Sequence, residues 1–175
     1  MPSTLKAHPA PWGEHVGGVR RATPAASETF KPGDVLIRHT DGKLKIAAAS
    51  GNNVGSGDIV GIALDSAADI LTGKYDRSGA GTVGCRYMAF TPGFRAILPL
   101  YHATPASAVI LEADIDAPTD LELRNEGGIW CLDVSATSNP KFRVESIAPP
   151  SAYAETYAYV HCVLLPATDL MDAVA

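Results

Sequence analysis

Glu112, Asp114 and Asp116 alternate with Leu111, Ala113 and Ile115, so an extended strand would set three carboxylates side by side on one face. Such a row could supply oxygen ligands to a divalent cation. The Gly-containing spacing of a calcium loop is missing, however, and the solvated face of an amphipathic strand explains the same alternation, so no metal is expected. Five histidines, His8, His15, His39, His102 and His161, show neither metal-ligand spacing nor a motif pairing with Cys85, Cys131 or Cys162. His161 and Cys162 are neighbours that a strand turns to opposite faces, so a cysteine nucleophile would need Cys85 or Cys131 carried to His161 by folding. All three cysteines sit in apolar or alternating runs, where Cys behaves as a small buried hydrophobe; a reactive thiol needs an electropositive, partly exposed setting. Neither catalysis nor a cofactor is expected.

The remaining group with chemical promise is Arg77-Ser78-Gly79-Ala80-Gly81, since glycine-rich loops can cradle phosphate. It is similar to an Arg-Ser element of trimeric all-β nucleotide pyrophosphatases of the dUTPase type. The Asp-containing sugar motif and glycine-rich C-terminal tail of that family are missing, and no helix start follows the loop to back a phosphate. A loop between Tyr75 and Val83 is the simpler reading. Charge points the same way: 14 Lys+Arg stand against 19 Asp+Glu, a formal net charge of -5, which repels a nucleic-acid backbone. Nor does any window approach the run of about 20 apolar residues that spans a bilayer, so no membrane partner is expected.

What must position any site is a set of short strands. The 175 residues suffice for one compact body with tails. Residues 1–29, with Pro2, Pro9, Pro11 and Pro24 and no sustained periodicity, read as an extended arm whose anchoring groups are Trp12, Val16, Val19, Arg20 and Arg21. Residues 30–166 form the β-rich domain, and 167–175 a C-terminal tail. Strands are expected at 34–39, 43–47, 59–64, 83–90, 95–100, 109–115, 121–124, 129–134, 141–147 and 157–165, with a single helical turn at 66–71. Asp41-Gly42 predicts a two-residue type I′ hairpin, in which both central residues take positive φ. The run 59–64 is apolar throughout and suits either interior or a subunit boundary, interior being favoured. Tyr153, Tyr157 and Tyr159 suit half-buried positions, ring inward and hydroxyl outward. Many short strands without crossover helices specify an all-β fold: an antiparallel β-sandwich or small β-barrel with an N-terminal arm and very little helix.

Within residues 30–165 the chain resembles the capsid decoration (cement, head-stabilising) proteins of tailed bacteriophages. Gly33-Asp34-Val35-Leu36 resembles their early hairpin opening and Val60-Gly61-Ile62-Ala63 the strand that follows. Later, Leu121-Glu122-Leu123, Gly127-Gly128, Leu132-Asp133-Val134-Ser135 and Phe142-Arg143-Val144 resemble a strand, turn, strand, strand succession of the same proteins. The resemblance implies a structural virion protein, assembled in the host cytoplasm on the outer capsid surface, often as a homotrimer that bridges major capsid protein subunits. It implies no bond making or breaking. Interface candidates are Trp12, Arg20 and Arg21 on the arm, with Phe30, Ile59, Ile62, Tyr157 and Tyr159 in the body. The alternative is a trimeric β-rich receptor- or carbohydrate-binding module of a phage tail fibre, which should display clustered exposed aromatics.

Overall fold

The computed structural model describes residues 16–55, 57–73, 84–91, 93–116 and 119–166. In chain order the elements are β1 (Val16–Ala22), β2 (Val35–Arg38), β3 (Leu44–Ile46), β4 (Asn52–Asn53), β5 (Ile59–Ala63), α1 (Ala67–Leu71), β6 (Cys85–Phe90) and β7 (Arg95–Tyr101). A 3-10 turn (Pro105–Ser107), α2 (Glu112–Asp116), β8 (Asp120–Glu126), β9 (Ile129–Asp133), β10 (Phe142–Ile147) and β11 (Tyr159–Leu164) complete the set. The all-β class expected from the turn spacing is what forms. Instead of one body, though, the chain divides into two compact units, one built on Val16–Ala48 and Ser56–Thr91, the other on Ala49–Gly55 and Pro92–Pro166.

In the first unit the strand order is β1-β6-β5-β2-β3, antiparallel throughout. Its outer strands are joined where Ala25 N donates to Leu44 O at 2.9 Å and Leu44 N donates to Thr23 O at 2.9 Å, a parallel bridge that closes a small barrel. The alternation of β6 turns Cys85, Tyr87 and Ala89 inward, where they pack with Phe30, Leu36, Leu44, Ala63 and the α1 residues Ala67 and Ile70. Residues 16–22, read from sequence as arm, are therefore a strand: Ala22 pairs with Cys85 and packs on this core. The two glycines at 17 and 18 and the exposed Val19-Arg20-Arg21 hide the strand from periodicity, because it gains its order from pairing with β6.

The hairpin between β2 and β3 also differs from expectation. Gly42 alone among the turn residues has positive φ, +80°, and Gly42 N donates to His39 O while His39 N donates to Lys43 O, both at 2.8 Å. This is a three-residue loop, a type I turn followed by a left-handed glycine. Asp41 is held in it by its own side chain, which accepts from Lys43 N at 3.1 Å and lies 2.9 Å from His39 Nδ1.

Asp65 is the first unit's buried acid, 8% exposed, and Arg86 grips it with Nη2 to Oδ1 at 2.7 Å and its backbone N to Oδ2 at 2.9 Å. The Arg86 hydrogen bonds hold this carboxyl below its ordinary value despite the opposing effect of burial. Its stabilising contribution is thus present above the unfolded-state value of 3.8 and lost as pH falls through the lower folded value. Asp65→Asn should cost about 1–3 kcal/mol at neutral pH by urea denaturation, with the gap to the parent closing as the pH is taken down to about 3 and below.

The second unit orders its strands β10-β11-β7-β9-β8-β4, and β10 pairs in addition with β8 through Phe142 opposite Leu121 and Arg143 opposite Asp120. That extra pairing bends the sheet back on itself, with the Arg143–Asp120 ion pair at 2.8 Å across the seam. One pair, β7 with β9, is parallel, against the antiparallel expectation. Sequence reveals hairpin neighbours such as β8 and β9, but strand 95–101 finds its partner across an intervening strand. The β8–β9 turn is the two-residue type I′ form: Glu126 faces Ile129, and Gly127 and Gly128 take φ of +62° and +89°.

Residues 109–115, expected as a strand, instead enter α2 after an irregular stretch. Asp114 Oδ2 accepts a hydrogen bond from Leu111 N at 2.8 Å, while Asp114 N donates to Leu111 O at 3.0 Å. An acid three residues inside a helix start, bonding back to the first backbone N–H, favours the turn over the strand. The carboxylate row read from the alternation is accordingly not formed.

Candidate functional site

The densest polar constellation lies on one face of the second unit's sheet, and the strand register builds it. Even-numbered residues of β8 share a face, so Glu122, Arg124 and Glu126 point together while Leu121 and Leu123 point to the core. In register, Glu122 faces Asp133, Arg124 faces Cys131 and Asn53, and Asp133 faces Tyr101. Arg124 is the hub. Its Nε donates to Glu126 Oε2 at 2.9 Å, its Nη1 donates to Asn53 Oδ1 at 3.0 Å and lies 3.7 Å from Asp133 Oδ2, and its guanidinium sits 4.5 Å above the Tyr101 ring.

The acids around it are equally engaged. Glu122, 6% exposed, accepts from Asn53 Nδ2 at 2.9 Å and Asn139 N at 2.8 Å; Asp133, 4% exposed, accepts from Ser135 N at 2.9 Å and Ser135 Oγ at 2.6 Å. Burial by itself would lower the Arg124 pKa, but the Glu126 hydrogen bond and the nearby negative charge outweigh it and raise it. With every one of these groups engaged by a neighbour, the arrangement fixes strands β4, β8 and β9 to one another. Sequence reading took the Leu-x-Leu half of β8 and passed over its polar half. The signal was present in Glu122-x-Arg124-x-Glu126, but the partners Asn53, Tyr101 and Asp133 come from three other strands.

The cysteines are free and buried. Burial pushes the Cys85 thiol up to about 11 and the Cys131 thiol up to about 12, and raises Cys162 as well. For Cys85 that leaves a thiolate fraction about a hundredfold below that of an unperturbed thiol at neutral pH. Ellman's reagent added to the native chain at mildly alkaline pH should titrate these thiols far more slowly than in denaturant, where all three react; rapid native labelling of Cys85 or Cys131 would contradict the packing. Among the described residues no group of three or more His, Cys, Asp or Glu side chains is arranged to hold a metal ion. No described helix is long and apolar enough to cross a membrane.

The interface candidates read from sequence are scattered by the fold. Trp12, His8, His15 and the loop 77–81 lie outside the described residues. Phe30 is fully buried in the first unit's core cluster, which also holds the α1 residues Ala67 and Ile70, and this corrects its placement at an interface; Ala67 N donates to Phe30 O at 3.0 Å. Ile59 and Ile62, 7% and 3% exposed on the central strand β5, are interior, as the apolar run favoured, and offer no surface in this chain. Arg20 and Arg21 are exposed on β1 beside Val19, which is 62% exposed. Tyr157 and Tyr159 are half-buried, Tyr157 in a left-handed conformation with its N donating to Ala108 O at 2.8 Å, and Tyr153 is 42% exposed.

No protein-family model, curated protein or solved structure matches the chain.

Proposed function

We propose that the chain is a capsid decoration protein of a tailed bacteriophage, bound to the outer surface of the head and bridging major capsid protein subunits. The observation that supports this reading is that segments resembling decoration proteins, separate in sequence, are direct sheet partners. Val35 pairs with Ile62 and Leu36 with Gly61, so the Gly33–Leu36 and Val60–Ala63 motifs form one ladder. Likewise Leu123 pairs with Leu132 and Leu121 with Phe142, which joins the three strand segments among the later motifs. Residue patterns that meet as neighbours in two sheets carry more weight than the same short patterns met singly along a chain.

In this role chemistry is absent and adhesion is multivalent: many copies on a repeating lattice each contribute modest contacts, and avidity replaces a tight single site. Exposed Arg20 and Arg21 on a strand anchored to the β6 ladder are suited to such contacts.

The test is co-sedimentation of the purified chain with expanded capsid shells of its own virus at low and physiological salt. Saturation near the copy number of the major capsid protein is the expected result. A chain that ignores the shells at both salts overturns the reading, and glycan binding in its place would support the tail-fibre alternative. Truncation of the arm should stop before Val16, because cutting at Phe30 removes β1 and opens the barrel.

A further inference from the structure

We propose that Asp41-Gly42 is a site of isoaspartate formation that the folded β2–β3 loop holds closed and that unfolding opens. The chemistry needs no enzyme and no co-reactant but water. The Gly42 amide nitrogen attacks Cγ of the protonated Asp41 carboxyl; a C–N bond forms, the acid's hydroxyl leaves as water with the amide proton, and a five-membered succinimide results. Water then adds to one of the two ring carbonyls and reopens the ring. Opening at the former backbone carbonyl routes the main chain through the side chain and leaves a free α-carboxylate, an isomer of unchanged mass. Glycine suits the second position because no Cβ hinders the attacking nitrogen.

The chain contains one Asp-Gly step and no Asn-Gly step. Exposure alone would leave that step reactive in the native protein: the Asp41 side chain is 43% exposed, and a Cβ on Gly42 would meet nothing within 4 Å. The loop opposes the reaction in three ways. Gly42 N donates to His39 O at 2.8 Å, so the attacking nitrogen is engaged. A type I turn sets ψ of its second central residue, here Asp41, at about 0°. That value swings Cβ and the Gly42 nitrogen apart about the Cα–C bond, whereas ring closure needs them eclipsed.

The carboxyl itself is also restrained. Oδ1 accepts from Lys43 N at 3.1 Å and lies 2.9 Å from His39 Nδ1, and Oδ2 lies 3.7 Å from Lys43 Nζ. The Lys43 N–H, followed by His39, holds the carboxyl below its ordinary value, so it stays ionised, and a carboxylate has no neutral oxygen to expel. All three restraints vanish together when the turn opens. The consequence reaches beyond the loop, because Leu44, three residues on, carries the barrel closure through Ala25 N to Leu44 O and Leu44 N to Thr23 O, both at 2.9 Å. An added backbone methylene at position 41 lengthens the turn and removes the acceptor for Lys43 N, which displaces β3 from that closure. This inference stands on the loop alone and does not rest on the shell-binding reading.

The test is incubation of the full chain at neutral pH and physiological temperature, in buffer and in guanidinium chloride, followed by peptide mapping with electron-transfer fragmentation, which separates the two isomers. Isoaspartate at position 41 should accumulate in denaturant and form about tenfold or more slowly in the native chain. Asp41→Asn keeps an acceptor oxygen for Lys43 N and loses ammonia in the same ring closure, so its conversion changes the mass; it should show the same dependence on denaturant, with circular dichroism checking that the variant folds. Chain aged in denaturant, refolded and enriched in the isomer should have a lower thermal midpoint than unaged chain carried through the same steps. Equal rates in buffer and denaturant, no isoaspartate at position 41 in denaturant, or an isomer with the parent's thermal midpoint overturns the proposal.

Discussion

Gly61→Ala is expected to destabilise the chain by about 3–5 kcal/mol, lowering the thermal midpoint by roughly 6–20 °C. Gly61 sits mid-strand in β5, paired with Leu36 on one side and Ala89 on the other. Its φ is +157°, and a Cβ at this position would overlap the Met88 carbonyl oxygen and press on the Tyr87 ring at 3.0 Å. The neighbour that must yield is backbone, and β6 cannot retreat without breaking its ladders to β1 and β5. Since total stabilities run about 5–15 kcal/mol, the loss is a large share of what holds the fold. Differential scanning calorimetry of parent and variant checks it; an alanine tolerated within about 1 kcal/mol would mean that β5 and β6 do not approach as closely as described.

Phe30→Ala should produce a comparable loss, about 3–5 kcal/mol, through lost burial and the cavity left behind. The ring is fully buried among Leu36, Leu44, Ala63, Ala67, Ile70 and Tyr87, and α1 has little else to hold it: five residues and an N-cap, Ser66, whose side chain makes no capping bond. Removing the ring should therefore loosen α1 before the strands, seen as faster amide exchange in Ala67–Leu71 at denaturant concentrations where β2 and β6 stay protected. The same variant separates core from interface. If Phe30→Ala kept full stability and lost only binding to shells, Phe30 would be an interface anchor after all.

Interior strand positions were legible because they obey a local rule. Leu44 and Ile46 alternate with Lys43 and Lys45, and β6 shows the same two-residue period. Turn chemistry was legible where glycine is obligatory: Gly127-Gly128 gives the two-residue turn, whereas Asp41-Gly42 gives a glycine-ended three-residue loop. The segment 109–115 misled for the opposite reason, since its alternation fits a strand while one side-chain bond, Asp114 to Leu111, selects a helical turn.

By itself the sequence determined the all-β class, most strand positions and the burial of the cysteines, because each follows from residue type and period over a few neighbouring residues, whereas the run at 59–64 left interior and interface both open for Ile59 and Ile62. The tertiary structure alone decided that β1 is a strand, that β7 and β9 run parallel, that the chain forms two units, and that Arg124 gathers Asn53, Tyr101, Glu126 and Asp133 around it. These are pairings between residues distant in the chain, and sequence separation carries no record of which distant strand lies alongside. The register that sets Arg21 against Arg86 exists only once β1 has found β6.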